Sequence, residues 1–274
     1  MFAVVTDSAA YFTKQEAVRL GVTVIPMNYS IAGAKFDEHY ADENVDFLKV
    51  IKARAAECKT SQPNVLAYEA VLRRIVESGH EVILISASSR LSGAYNSAMM
   101  AHDSIANPKL HIFDSMTIAG GQRLIVEEAV RLSGTGIPLK SAIKELTEYR
   151  AKVGTVFSVE KMDALRRGGR VGAVKLSLGN LLNVRPILEI KDGAVIGKGT
   201  ARGIRNLIKE LVSCVPVSAK KIILMSIFSA ESAKMMQPIA LEYLISDNKI
   251  EYQSIGPVLA IHLGDGAFGI AWSE

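Results

Sequence analysis

The sequence predicts an α/β fold: an N-terminal, mostly parallel α/β layered domain over 1–152, followed by a C-terminal α+β domain over 153–274. Three observations predict it. Short, wholly apolar runs of branched residues alternate with helical patterns in the first half, the pattern of strands covered on both faces. Three of those runs close in small polar residues: Thr6-Asp7-Ser8, Ser86-Ala87-Ser88-Ser89 and Asp114-Ser115. After Lys152 the pattern changes to hairpins mixed with helices, with Asp192-Gly193 as the clearest turn.

Taken in order, Ala3-Val4-Val5 opens the first strand, and Thr13-x-x-Glu16 is a capping box for a short helix that Gly21 should close. Val22 to Ile25 is a second strand, ended by Pro26. From Ser30 to Asp46 the chain reads as irregular and acidic, a surface excursion or small subdomain. Lys59-Thr60-Ser61-Gln62-Pro63 is a hydroxyl cluster ahead of a helix capped by Asn64 and ended at Gly79. Val82 to Ile85 is then a buried strand, followed by a hydroxyl-rich loop and a helix with Ser92-Gly93 near its first turn. Beyond the carboxyl end of a parallel strand, Ser92 could offer a hydroxyl and backbone donors to a carboxylate or phosphate. It could equally be a helix cap, and this stretch alone favours the cap.

Leu110 to Phe113 is a further strand, and helices follow over Leu124 to Leu132 and Leu139 to Tyr149. Thr155 to Phe157 should cross into the second domain, and Glu160 to Arg167 should be a helix stopped by Gly168-Gly169. Helix is expected over Leu176 to Leu182, strand over Pro186 to Ile190, and its hairpin partner over Ala194 to Gly197. Helices over Ile204 to Val212 and Ala230 to Leu244 alternate with strands over Ile222 to Ile227 and Ile250 to Ser254. The tail, Gly256 to Trp272, reads as glycine-rich and ends in a short strand.

Composition narrows the function. The 274 residues are 49% hydrophobic, enough for a substantial core and an apolar pocket. The formal charge of +4 permits an anionic ligand but does not argue for nucleic acid. No apolar run approaches a membrane span, and no basic region precedes the first strand, so no signal peptide is expected. Cys58 and Cys214 lack metal-type spacing and suggest a reduced, cytoplasmic protein without a bound metal. There is no Walker-A loop and no Gly-x-Gly-x-x-Gly after a strand, so no nucleotide site is visible.

Several motifs then line up in order. They are Thr6-Asp7-Ser8, Thr60-Ser61-Gln62-Pro63, Ser88-Ser89-x-Leu91-Ser92-Gly93-x-Tyr95, Asp114-Ser115, Leu165-x-x-Gly168-Gly169-Arg170, Leu182-Asn183-x-x-Pro186-Ile187-Leu188 and His262-x-Gly264-x-Gly266-x-x-Gly269. In this order the chain resembles the DegV family, and in particular the fatty-acid-binding component of bacterial two-part fatty acid kinases. The resemblance implies an acyl chain held between the two domains, with no covalently bound cofactor and ATP used only through a separate kinase subunit. A transient contact with a membrane surface goes with that role.

The resemblance places the fatty-acid carboxylate among Thr60 or Ser61, Ser92 with Gly93, and His262. Hydroxyls and an imidazole are donors that hold a carboxylate while leaving one oxygen able to react. His262 as a satisfied loop histidine is the plainer alternative. Arg170 is implied as a contact to the kinase or to the phosphate in transit, against a solvated basic helix end; the Gly-Gly stop should leave it on a protruding turn rather than in the pocket. His262 and Arg170 are the candidates for any catalytic part, and Asn183 and Arg202 for supporting ones. Asn64, Arg90, Leu263 and Asp265 depart from the family's usual residues, and Arg90 and Asp265 could shift charge at the head-group end. Two other functions share these features: a self-contained phosphotransferase using His262, and a non-catalytic lipid sensor docking through Arg170.

Overall fold

The computed structural model describes residues 1–43, 47–170, 183–227, 231–244, 249–264 and 266–274. The expected helix over Leu176 to Leu182 and the departure at Asp265 lie outside the described residues.

The first half builds a parallel sheet from β1 (Ala3–Asp7), β2 (Val22–Ile25), β6 (Val82–Ser86) and β7 (Leu110–Asp114), in the order β2-β1-β6-β7. Between them run α1 (Lys14–Leu20), α3 (Val65–Glu77), α4 (Ala94–Ile105), α5 (Gly120–Gly134) and α6 (Leu139–Arg150). Alternate strand residues face opposite layers. Val4, Ile83 and Ile85 pack with Ala17 of α1 and with α5 and α6, while Val5, Val82 and Leu84 pack with Tyr68 and Leu72 of α3 and Ala98 of α4. Burial on both faces is why β6 is apolar from Val82 to Ile85. The α1 capping box forms as its sequence predicts, with the Glu16 backbone N–H donating to the Thr13 hydroxyl at 3.2 Å and Gly21 closing the helix at φ +66.

The first part of the stretch expected to be irregular is a regular hairpin, in keeping with the small-subdomain alternative. β3 (Met27–Ile31) and β4 (Ala34–Glu38) form an antiparallel hairpin, and β5 (Cys58–Ser61) pairs with the other side of β3. A small sheet ordered β4-β3-β5 results, with α2 (Phe47–Ala53) in the connection. Its polar, largely exposed β4 carries little apolar alternation to read.

A six-stranded mixed sheet occupies the second half, in the order β10-β9-β8-β13-β11-β12. Its strands are β8 (Val153–Ser158), β9 (Val184–Lys191), β10 (Ala194–Arg202), β11 (Lys221–Ile227), β12 (Lys249–Ile255) and β13 (Phe268–Ser273). The hairpin turn is at Asp192-Gly193 as expected, both at positive φ, but β10 continues past Gly197 through a bulge to Arg202. Its helices are α7 (Asp163–Arg167), α8 (Ile204–Ser213), α9 (Glu231–Tyr243) and α10 (Pro257–Leu263). The tail does end in a strand, but it also holds α10, which its glycine-rich reading did not foresee: Pro257 occupies the helix's first turn and Gly264, at φ +76, its end.

α8 and α9 cover one face of this sheet. The other face, with Phe157, Leu188, Ile223, Met225 and Ile255, turns toward α5, α7, α10 and the β3–β5 sheet. Arg123 of α5, 5% exposed, stitches the halves together: it bonds Glu16 at 2.6 Å and Glu127 at 3.1 Å and lies 3.6 Å from Glu251 of β12. No described helix is long and apolar enough to cross a membrane.

Candidate functional site

β1 and β6 are neighbours from which the chain proceeds to opposite edges of the parallel sheet, the place where such sheets bind ligands. Here that position is filled from within. The buried Asp7 carboxylate accepts from the Ala87 backbone N–H at 2.8 Å, from Ser86 Oγ at 3.1 Å and from Gln122 Nε2 at 2.9 Å. Burial raises its pKa against those stabilising bonds. Ser115 Oγ likewise donates to the Thr117 carbonyl at 3.0 Å, and Ser8 Oγ accepts from the Met27 N–H at 2.9 Å. The polar strand endings are gathered along one edge, but they bind each other.

The open space lies one step further out. A cavity with about 1010 Å³ of empty volume, mouth included, opens between the inner face of the six-stranded sheet, the start of α5, α10, β5 and the β6–α4 loop. Phe157, Met225, Ile255, Val195 and Ile190 of the sheet form one side of its wall, with Ile118, Ala119, Leu165, Leu259 and Leu263 across from them. On β13 the inward residues are small. A Cβ on Gly269 would stand 3.0 Å from Met225 Cε and 3.1 Å from Phe157 Cβ, so glycine there keeps the slot open.

Most of the polar residues expected at the carboxylate come together at one end. Thr60 from β5, Ser61 beside it, Ser92 from the β6–α4 loop and His262 from α10 all line the cavity. Thr60 Oγ1 lies 2.8 Å from His262 Nε2, across 202 residues of chain. His262 Nδ1 is buried and has no hydrogen-bond partner among the described residues. In folded proteins buried N–H groups are left orphaned less often than acceptors are. The ring is therefore assigned its proton on Nε2, donated to Thr60, which frees the Thr60 O–H for the cavity. Burial, and behind it the charge of Arg170, lowers the His262 pKa to about 4, so the imidazole is neutral. Ser92 stands one residue before the cap of α4: its Oγ accepts from the Ala94 N–H at 3.2 Å, and the residue lines the cavity. The sequence left α10 unseen, although Gly256-Pro257 and Gly264 bracket it.

Arg170 departs from its expected place. It is exposed, but it lines the cavity: Nε donates to the Leu91 carbonyl at 3.1 Å, and Nη1 to the Gly168 carbonyl. One carbonyl of the Gly-Gly stop and one from the β6–α4 loop hold the guanidinium over the mouth. Arg90 donates to the Asp192 carbonyl at 2.8 Å and Ser88 Oγ to that of Gly193 at 2.7 Å, so the β6–α4 loop grips the β9–β10 turn. Gly93 caps α4 and is covered by the Gln62 side chain rather than lining the cavity. Asn183 and Arg202 are exposed at the far end of the β9–β10 hairpin, where the Gly203 N–H donates to the Asn183 carbonyl at 3.0 Å, and neither reaches the cavity. No three described His, Cys, Asp or Glu residues cluster to hold a metal.

The site is thus an apolar slot between a parallel α/β layer and a mixed sheet, with hydroxyls and a neutral imidazole gathered at one end, in a two-layered α/β protein. The chain belongs to the DegV family, whose model, described as "Uncharacterised protein, DegV family", matches residues 1–274. A DegV domain-containing protein of Halalkalibacterium halodurans is 31% identical over 98% of this chain and 97% of its own. Among solved structures, a DegV family protein from Thermus thermophilus described for its fatty acid binding is 29% identical, with a TM-score of 0.87 over 100% of this chain and 99% of that one. DegV of Bacillus subtilis, described as a fatty acid binding protein, is 27% identical, with a TM-score of 0.81 over 99% and 98%.

Proposed function

We propose that this protein binds one long-chain fatty acid in the slot, with its carboxylate at Thr60, Ser61, Ser92 and His262, and presents it to a separate ATP-dependent kinase. The observation that carries the reading is the Thr60–His262 pair at 2.8 Å on the rim of a mostly apolar cavity. A buried carboxylate needs donors, and an alkyl chain needs apolar wall. Neutral donors hold the carboxylate without neutralising it, which leaves an oxygen free to attack a phosphoryl group. Acyl-phosphate is then the product, and phospholipid synthesis is a consumer that fits it. Dependence on ATP through a partner fits the cytoplasm, and the apolar ligand fits brief contact with a membrane surface.

The fatty-acid binding named for the two related structures supports the ligand class. Against a phosphohistidine route, Nε2 of His262 is engaged by Thr60, and Nδ1 faces the backbone of Gly168. The test is mass spectrometry of lipid extracted from the purified protein, with thermal unfolding after removal and return of stearate. About one acyl chain per protein and a rise in Tm on return are expected, since a ligand bound to the native state stabilises it. A folded protein with neither overturns the reading.

A further inference from the structure

The β3–β5 sheet takes hold of α10 at two points. From β5, Thr60 meets His262 near the end of the helix. From β4, Glu38 reaches its beginning: Oε1 accepts from the Val258 N–H at 2.9 Å, and the neighbouring Leu259 N–H donates to the Tyr11 hydroxyl at 3.1 Å. Val258 and His262 are about one helical turn apart. Seven residues make too short a helix to hold its own shape, so the groups at its ends decide where it lies.

Glu38 is an odd choice for a purely structural contact. It is 1% exposed, no described Lys or Arg pairs with it, and its Oε2 has no partner among the described residues. An apolar residue would fill the same space without burying a carboxyl. The backbone has been cleared for it, because a side chain at Gly256 would strike the Glu38 carboxyl and stand 3.0 Å from the Tyr11 ring. We infer that Glu38 is a positioning residue for His262: by fixing the start of α10 it keeps the ring against Thr60 and the Thr60 proton aimed into the slot. The inference rests on the proposed carboxylate site only in what the ring is positioned for.

Burial, with a further push from Asp7, raises the Glu38 pKa to about 8, so the carboxyl is mostly protonated at neutral pH. Tyr11, Asp7 and, more distantly, Tyr29 are the titratable groups coupled to it. A protonated carboxyl still accepts from Val258.

The experiment follows the His262 ring by NMR titration in delipidated full-length protein, alongside stearate affinity, in wild type, E38A, E38Q and Y11F. The wild-type ring is expected to titrate at about 4. In E38A a loosened α10 lets the ring reach water, so its pKa moves toward the ordinary ~6.5 and stearate binds about tenfold more weakly, one lost hydrogen bond's worth. E38Q keeps an oxygen for Val258 and should keep both wild-type values. A folded E38A with an unmoved ring titration overturns the inference, as does an E38Q that behaves like E38A. Should E38A fail to fold, Y11F decides: a smaller shift of the ring in the same direction supports the inference, and no shift overturns it. A wild type that binds no stearate sinks the carrier reading, while the ring titration still decides on Glu38.

Discussion

Gly168 sits so close against His262 that a methyl group on it would stand 3.0 Å from the ring's Cε1 and nearer still to Nδ1. The residue that ends α7 is therefore part of what holds the imidazole against Thr60. Its backbone, at φ −73 and ψ −10, is ordinary helical geometry, so glycine is not there for conformational freedom.

Gly168→Ala should therefore fold as wild type does, because alanine tolerates that backbone. The new Cβ must push the ring, and the Thr60–His262 bond goes with it. Stearate affinity is expected to fall about tenfold, on the order of 1–1.5 kcal/mol for one hydrogen bond, with Tm of the ligand-free protein little changed. Calorimetric titration that finds equal affinity would place the carboxylate away from this ring.

The hydroxyls can be ranked. Thr60 is half-buried and bonded to His262, whereas Ser61 is exposed at the end of β5. Thr60→Val and Ser92→Ala should each weaken stearate binding by roughly 1–3 kcal/mol, the cost of leaving a charged acceptor short of a donor. Ser61→Ala should cost less than either. The reverse order, measured by the same titration, would make Ser61 the direct contact.

How far the sequence carried this arrangement depends on the reach of each signal. The α1 capping box and the Asp192-Gly193 turn are local, written within four residues, and both form. The β6 strand is readable because burial on both faces leaves Val82 to Ile85 wholly apolar. The β3–β5 sheet was not, since β5 joins β3 from about 30 residues away and β4 is mostly polar. Thr60 and His262 could be singled out as residue types, but only through the family pattern; their contact spans the whole fold. Glu38 was missed because nothing near it in sequence shows that Val258 will need an acceptor. Arg170 was misplaced because a glycine stop indicates where a helix ends, not which carbonyls will recapture the next side chain.

The slot's reach should be set by β13. Gly269, paired between Met225 and Phe157, leaves the space that a side chain would take. Gly269→Ala adds one methyl group, for which Met225 and Phe157 need give only a few tenths of an ångström, so folding should survive. That methyl group narrows the slot, and affinity should shift from stearate toward shorter acids, by about four- to fifteenfold for the loss of one or two buried methylenes at ~0.8 kcal/mol each. A competition series of saturated acids reads this directly. An unchanged preference for stearate would show that the chain runs elsewhere.

Stability should depend on pH through two opposed groups. Glu38 has its folded pKa raised from 4.5 to about 8, so its contribution is full below 4.5 and is lost as pH rises through 8. His262 has its folded pKa lowered from 6.5 to about 4, so its contribution is full above 6.5 and is lost as pH falls through 4. Between about 4.5 and 6.5 the two oppose each other; between about 6.5 and 8 only Glu38 acts, with a slope approaching ~1.4 kcal/mol per pH unit. Denaturant unfolding of wild type and E38Q across that upper window should show the wild type losing stability relative to the variant as pH rises. Parallel curves would mean that Glu38 does not titrate there.

Arg170 separates binding from presentation. Its guanidinium spends two N–H groups on the carbonyls of Leu91 and Gly168, leaving others at the mouth for a phosphate or a partner's carboxylate. Arg170→Ala should keep its fatty acid, because the hydroxyls and His262 remain. The His262 pKa should rise slightly once the neighbouring positive charge is gone. Acyl-phosphate formation with the kinase of the same organism should fall by an order of magnitude or more, taking a charge-assisted contact as worth about 1.5–3 kcal/mol. Raising the variant's concentration distinguishes the two ways this could happen: recovered activity means that Arg170 docks the kinase, and a persistent deficit means that it meets the phosphoryl group. A variant as active as wild type at every concentration would leave Arg170 only its ties to Leu91 and Gly168, a clasp across the mouth with no part in transfer.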